Sequence, residues 1–357
     1  MHIVHVVGAR PNFMKAAPVL AALANAAGVQ QTLVHTGQHY DANMSDVFFQ
    51  QLEMPAPDLN LGVGSDSHAV QTAAIMAGFE PVVMDRRPDL VLVYGDVNST
   101  MAAALVCSKL QIRVGHVEAG LRSHDRTMPE EINRLIMDQL SDLLFTPSAD
   151  ADENLQREGI KPARIHLVGN VMIDTLVRLL PRCAERRSAD LIGPYALVTL
   201  HRPSNVDDGP WLRALLLALA DLSHDVDVVF PVHPRTRQRI ADLGLQALSD
   251  GHLRLLDPKP YLDFLALQQG AAMVITDSGG IQEESTFLGI PCLTLRQNTE
   301  RPVTVSLGTN VLIGRDIPRL QTEIRRILAG EIKKTSPIPL WDGHAAERIA
   351  QVVLGRE

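Results

Sequence analysis

The sequence predicts an α/β protein of two doubly wound, Rossmann-like domains facing a cleft, and three observations predict it. A chain of 357 residues with 46% hydrophobic content is too long for one small core and fits two of ordinary size. Short runs rich in Val, Ile and Leu alternate with longer helical patterns, the signature of βαβ units that build parallel sheets covered on both faces. These runs divide into two sets of six around a polar stretch.

In order, the first set of strands is expected over 2–7, 31–36, 89–94, 112–117, 142–146 and 164–168. The second set follows over 195–200, 226–232, 252–256, 271–276, 291–295 and 310–313. Between them, residues 169–194 hold a helical pattern and then the polar segment Arg182 to Asp190, suited to a linker. The expected domains are therefore 1–170 and 171–344, with a terminal helix over 345–357 that could pack on the first. No short-period repeat or low-complexity tract interrupts this plan.

In open α/β sheets, ligands lie beyond the carboxyl ends of the strands, so the residues that follow each strand are the candidates for function. After the first strand come Gly8, Arg10 and Lys15: a glycine for a tight turn, a planar fork for diphosphate oxygens, and a cation about one helical turn on. The third strand runs into Gly95 and Asp96, and a helix cap would also explain this aspartate. The fourth ends in Glu118, and a carboxylate closing a buried strand is costly unless a cation or a reaction employs it. Pro129, Glu130 and Glu131 then open a helix, which helix physics alone would account for.

In the second half, His201 with Arg202, and His233 with Arg235, repeat one arrangement at two successive strand ends. The most telling stretch is 273–284. An apolar strand leads through Thr276 and Asp277 to Ser278, Gly279 and Gly280, and then to a helix start bearing Glu283 and Glu284. Glycines let the backbone approach a ligand, and the unpaired N–H groups of the helix favour an anion there, so the stretch reads as a phosphate cradle with Glu283 within reach of ribose hydroxyls.

Composition narrows the function further. A net charge of −8 argues against a long nucleic-acid surface, whereas a small anionic ligand needs only a few local cations. Cys107, Cys183 and Cys292 are odd in number and far apart, which supports neither a disulfide framework nor a zinc site and reads as reduced thiols in a cytoplasmic protein. The apolar run at the amino terminus is too short for a signal peptide, and no stretch approaches the ~20 apolar residues of a membrane helix. His35 and His39 are spaced for one helix face, but a loop-like Thr-Gly-Gln separates them and no third ligand is evident, so no metal is expected.

With these motifs together, the sequence resembles the non-hydrolysing UDP-N-acetylglucosamine 2-epimerases over essentially its whole length. The matching elements are Gly8 to Pro11 with Lys15, Gly95-Asp96, Gly115 to Arg122, Pro129 to Arg134, Pro231 to His233, Thr276 to Glu284 and Thr299 to Pro302. The resemblance implies the two-domain glycosyltransferase B type fold and a homodimer. It also implies a sugar-proximal catalytic group at Asp96, Glu118, Glu130 and His201, without base and acid assigned among them. UDP contacts are implied at Arg10, Ser278, Gly279, Gly280 and Glu283, with Phe264 near the uracil, Lys15, Arg202 and His233 lining the cleft, and Arg301 among the binding residues. The chain departs from the pattern at Asn12, where many members carry Glu, and at Pro203-Ser204 after His201-Arg202. The loop His39 to Met44 also lacks the glutamines through which some bacterial members bind a second UDP-sugar as activator.

The chemistry explains why such residues are needed. The C2 proton of an N-acetylhexosamine is barely acidic, but as UDP begins to leave C1 the positive charge there acidifies it, so elimination across C1–C2 replaces an inaccessible carbanion. Cations and helix N–H groups hold the departing diphosphate, while carboxylates move the proton, each transfer group being worth ~10²–10⁴-fold in rate. This path needs no nicotinamide, consistent with the lack of G-x-G-x-x-G after the first strand, and no other cofactor is expected. It calls for closure around the glycal intermediate, to keep water out. A modified substrate such as the diacetamido uronic acid nucleotide fits the same plan. A UDP-sugar glycosyltransferase or a catalytically silent UDP-sugar binder would use the same cradle, but three acids on the amino-terminal side favour epimerisation.

Overall fold

Alternating Val, Ile and Leu form thirteen parallel strands in a computed structural model that describes residues 1–38, 49–183, 186, 191, 193–245 and 252–355. Contacts divide the chain into one unit of Met1–Arg178 with Pro339–Glu357 and a second of Leu179–Ile338. The division thus falls inside the helix Val171–Cys183, whereas the sequence placed it ahead of that helix. Much of the polar linker segment and the whole loop His39 to Met44 lie outside the described residues.

The first unit is a seven-stranded sheet of β1 (His2–Val7), β2 (Gln30–His35), β3 (Leu59–Asn60), β4 (Leu90–Tyr94), β5 (Val114–Val117), β6 (Leu143–Thr146) and β7 (Ile165–Leu167), in the order β3-β2-β1-β4-β5-β6-β7. Six of these match the expected strands with their ends shifted by a residue or two. The seventh corrects the count: β3 is a two-residue edge strand pairing Val34 with Leu59 and His35 with Asn60, too short to leave a pattern in the sequence. Side-chain alternation sets the two faces. Val4, Val6, Val91, Val93 and Val114 pack against Phe79, Val83, Ala103, Ala104 and Met137 of the helices His68–Arg86, Asn98–Lys109 and Pro129–Leu140.

The helix Arg10–Leu23 buries Phe13, Val19, Leu20 and Leu23 and packs beside the helix Ala345–Val353. That last helix is tied to the first unit by polar contacts. Asp174 accepts from the backbone N–H groups of Ala345 (3.1 Å) and Ala346 (2.6 Å), capping two of its orphan donors. The Trp341 indole donates to the Pro147 carbonyl (2.9 Å), and Arg348 to that of Val168 (2.8 Å). Gly169 has φ +89°, and a Cβ there would lie 2.0 Å from the Leu340 carbonyl oxygen, so only glycine permits the approach.

The second unit is a six-stranded sheet of β8 (Tyr195–Thr199), β9 (Asp227–Pro231), β10 (Leu253–Leu256), β11 (Met273–Thr276), β12 (Cys292–Thr294) and β13 (Asn310–Leu312), ordered β10-β9-β8-β11-β12-β13. Ala196 and Val198 face Leu212, Leu215, Leu216 and Leu219 of the helix Gly209–Leu222, with Leu320 and Ile324 of the helix Ile317–Leu328. Tyr195 and Leu197 face the opposite way, toward Leu267 and Ile290. Both sheets therefore reverse direction beside their first strand, between β1 and β4 and between β8 and β11, and ligands bind at such switch points.

Removing the cap in Asp174→Ala is expected to cost about 1–2 kcal/mol of stability. Urea denaturation would measure the loss, and faster amide exchange confined first to residues 345–353 would locate it.

Candidate active site

At the switch point of the first sheet, the turns after β1 and β4 are held together by one side chain. Asn12 accepts from the N–H groups of Gly8 (3.1 Å) and Ala9 (3.0 Å) and donates to the Tyr94 carbonyl (2.6 Å). Gly8 is required by crowding, since a Cβ would lie 2.1 Å from the Ser99 hydroxyl. Arg10 heads the helix and is exposed, while Lys15, one turn on, is buried and ion-paired with Glu118. Gly95 makes room for that pair: it has φ +64°, and a Cβ on it would sit 2.6 Å from the Lys15 ammonium.

Glu118 carries φ +74°, a conformation that is strained in a non-glycine residue, and its N–H and that of Ala119 share the Phe145 carbonyl at 3.0 Å. Asp96 is clamped from the helix Pro129–Leu140. Arg134, 2% exposed, ion-pairs with it, and Asn133 donates to its backbone carbonyl (2.8 Å). Arg134 also meets Glu131 (2.6 Å), whose carboxylate accepts from the N–H groups of Ser123 (3.0 Å) and His124 (2.9 Å). Burial alone would raise the Glu131 carboxyl, but these donors and the guanidinium outweigh it and hold it below the usual carboxylate range. Asp96 and Glu130 line one cavity of about 250 Å³ together with Gln38, His68, Gln71, Asn98 and Asn133.

In the second unit, the buried Asp277 organises the end of β8. Its carboxylate accepts from the backbone N–H of Arg202 (3.0 Å) and the amide of Asn205 (3.1 Å), and lies 3.0 Å from Nδ1 of His201. Burial would raise this carboxyl, but His201, Asn205 and the Arg202 N–H prevail and hold it low. With Nδ1 engaged by Asp277, the His201 ring is half-exposed. Ser278 caps the helix Gly279–Leu288 without a side-chain capping bond of its own. A Cβ on Gly279 would lie 2.6 Å from Arg301 and 2.8 Å from Glu300, so the glycine lets a buried ion-pair cluster reach the helix start. In that cluster Arg301 meets Glu283 (2.8 Å) and Glu300 (2.5 Å), and Arg296 meets Glu300 (2.7 Å).

The structure thus gathers Lys15, Asp96, Glu118 and Glu130 in the first unit, and His201, Arg202, Ser278, Gly279, Gly280, Glu283 and Arg301 in the second. His233 stands at the end of the neighbouring β9, where its Nδ1 accepts from the Arg235 N–H (3.3 Å) and caps the next helix. His35, weighed as a metal ligand, instead accepts from the Gly37 N–H (2.8 Å) against Phe13 and Phe49. Sequence reasoning missed Asp277 as the residue that orients His201, although the Thr-Asp pair ending β11 was its signal. It also missed Glu284, which is buried with the Tyr261 hydroxyl (2.8 Å) as its donor, on the helix Tyr261–Gly270 that carries the half-buried Phe264.

A sequence profile described as UDP-N-acetylglucosamine 2-epimerase matches residues 21–354. The chain is 39% identical to the UDP-N-acetylglucosamine 2-epimerase of Methanococcus maripaludis, over 99% of this chain and 98% of that protein. It is 41% identical to the UDP-2,3-diacetamido-2,3-dideoxy-D-glucuronate 2-epimerase of Pseudomonas aeruginosa, over 98% and 99% respectively. The crystal structure of Methanocaldococcus jannaschii UDP-GlcNAc 2-epimerase in complex with UDP-GlcNAc and UDP superposes with TM-score 0.90 and 38% identity, covering 99% of this chain and 100% of that one. A lipopolysaccharide outer core galactosyltransferase, 14% identical with TM-score 0.55, shares the glycosyltransferase B type fold.

Burial pushes the Glu284 carboxyl up to about 7, over the opposing Tyr261 bond and with help from the nearby Glu283 charge. The folded protein therefore holds a proton here that the unfolded chain releases, so stability falls as pH rises from about 4.5 to about 7 and then levels off. Glu284→Gln is expected to flatten that slope and to gain on the order of 3 kcal/mol at pH 8 relative to wild type, read from denaturation curves between pH 4.5 and 8.

Proposed function

Since this chain belongs to the UDP-N-acetylglucosamine 2-epimerase family, we propose that it interconverts UDP-N-acetylglucosamine and UDP-N-acetylmannosamine by eliminating and re-adding UDP. The observation that carries the reading is the grouping of Asp96 and Glu130 on one cavity wall, beside the Lys15–Glu118 pair packed on Gly95. In the forward half-reaction the C1–O bond breaks, its electron pair leaves with UDP, and the C2 proton passes to one of Asp96, Glu118, Glu130 or His201. A glycal and UDP remain. In the return, a proton is delivered to the opposite face of C2, and a UDP oxygen re-forms the bond to C1.

The second unit takes the nucleotide. The Ser278–Gly280 helix start, with Arg202 and Arg301 nearby, suits the diphosphate; in the first unit, Arg10 is an exposed cation at the head of its helix. Phe264 offers a face for the uracil, and His233 completes the set on this unit, while Lys15 serves the first unit through its pair with Glu118. Glu283 is committed to Arg301, whereas Glu284 meets the neutral Tyr261 hydroxyl, so Glu284 joins Glu283 as a candidate for the ribose hydroxyls. The 41% identical Pseudomonas relative favours a second reading, in which the sugar is the diacetamido uronate.

Deuterium incorporation at C2 during incubation with each nucleotide sugar in D₂O tests both readings. Label in UDP-N-acetylglucosamine with appearance of the manno epimer supports the first. Separation of the sugar from UDP without label at C2 would defeat epimerisation of either kind. Asp96→Asn and Glu118→Gln are each expected to lower kcat by ~10²–10⁴-fold.

The working form is proposed to be a homodimer. The helix His68–Arg86 exposes an apolar stripe of Val70, Ala73, Ala77, Pro81 and Met84, with Val70 at 53% and Met84 at 61% exposure. Such a face suits a self-complementary contact with a second copy. No helix among the described residues is long and apolar enough to cross a membrane, and three buried free thiols suit a reducing cytoplasm. In light-scattering measurements, Val70→Glu combined with Met84→Glu is expected to halve the mass of the particle. A wild-type monomer at micromolar concentration would end the dimer proposal.

A further inference from the structure

His116 lies in the middle of β5, fully buried, and both of its ring nitrogens face acceptors. Nδ1 is 2.7 Å from Oδ1 of Asp138, and Nε2 is 2.9 Å from the carbonyl oxygen of Gly95. A carbonyl can only accept, so Nε2 must carry hydrogen. Oδ2 of Asp138 takes the guanidinium of Arg122 (2.7 Å) and the N–H of Gly120 (3.1 Å), while its Oδ1 faces Nδ1 of the ring. The ring thus stands at one end of a chain of His116, Asp138, Arg122 and Glu158, whose last pair is 2.6 Å apart.

This chain touches both backbone segments that carry the sugar-side acids. Through His116 it grips the Gly95 carbonyl, which belongs to the peptide leading into Asp96. Through Asp138 it grips the Gly120 N–H, two residues beyond the strained Glu118. Asp96 is then fixed on three sides, by His116 on the preceding carbonyl, Asn133 on its own carbonyl and Arg134 on its carboxylate. Asn133, Arg134 and Asp138 all project from the helix Pro129–Leu140, which also bears Glu130.

We propose that His116, donating from Nε2 to the Gly95 carbonyl and held at Nδ1 by Asp138, is a positioning residue that sets Asp96 and Glu118 for C2 proton transfer. The proposal rests on the epimerase reading given above. His116 touches no substrate; it acts by holding the Gly95–Asp96 peptide in one orientation, and Asp138 shares that task.

Two measurements decide it. In wild-type protein with nitrogen-15 histidine, the His116 signals, assigned by their absence in His116→Gln, are expected to show hydrogen on Nε2. A ring without hydrogen on Nε2 overturns the proposal. Kinetics give the second measurement, because the Gln amide nitrogen can stand in for Nε2 and keep the bond to Gly95, whereas Asn can stand in only for Nδ1. His116→Asn is expected to lower kcat about 10²-fold at nearly constant KM, while His116→Gln stays within about tenfold of wild type. Equal losses in the two variants, no loss in either, or a loss that merely tracks the folded fraction seen by circular dichroism overturns it. Should the Asn variant not fold, the wild-type spectrum and the Gln variant decide alone, a larger loss in Gln counting against it. A wild-type enzyme that exchanges no deuterium at C2 would instead defeat the epimerase reading, and the spectrum, which needs no turnover, would still report on His116.

Discussion

A charge carried to the end of a buried strand must be matched where it stands, because water is not there to solvate it. Both units meet this constraint in the same way. Glu118 after β5 is met by Lys15 from the first helix, and Asp96 after β4 by Arg134. In the second unit, Asp277 after β11 is met by His201 and by backbone N–H groups at the end of β8, and Glu300 after β12 is held by Arg296 and Arg301, which outweigh burial and keep its carboxyl well below the usual range. Removing one partner from such a pair leaves the other buried and uncompensated, which costs more than the pair contributes.

The same pairing suits the proposed chemistry. Groups that receive a proton or face a departing diphosphate work best when they do not have to reorganise during the reaction. Ion pairs anchored in helices and strand ends provide that rigidity. The glycines serve it too: Gly8, Gly95 and Gly279 each leave space that a neighbouring polar side chain already fills, so the backbone and the charged groups approach more closely than any larger residue would allow.

Much of this was legible in the sequence, and the limits have physical causes. Apolar runs such as Val4 to Val7 and Val91 to Tyr94 announce parallel strands because both faces are buried, and the residues beyond them mark the candidate site because parallel strands deliver their ends to one edge. The strand Leu59–Asn60 was invisible because two residues carry no periodicity. Side-chain pairing was harder still. Glu283 and Glu284 are adjacent in sequence, yet helical phase turns one to Arg301 and the other to Tyr261. His116 and Asp138 are 22 residues apart, and only the packing of a helix on its strand brings them together. The roles of Asp277 and Asp138 come from partners that no local pattern specifies.

The helix Ala345–Val353 completes the unit to which the amino terminus belongs, so the second unit is, in connectivity, an insertion within the first. This inverts the usual order of events on the ribosome, where amino-terminal domains close first. The six strands of the inserted sheet emerge together and can assemble as a block, while the first unit waits for the helix Ala345–Val353 to cover the helix Arg10–Leu23. Until residues 345–353 have been made and released, the helix Arg10–Leu23 keeps an apolar flank uncovered, and that flank is where a chaperone would find its client.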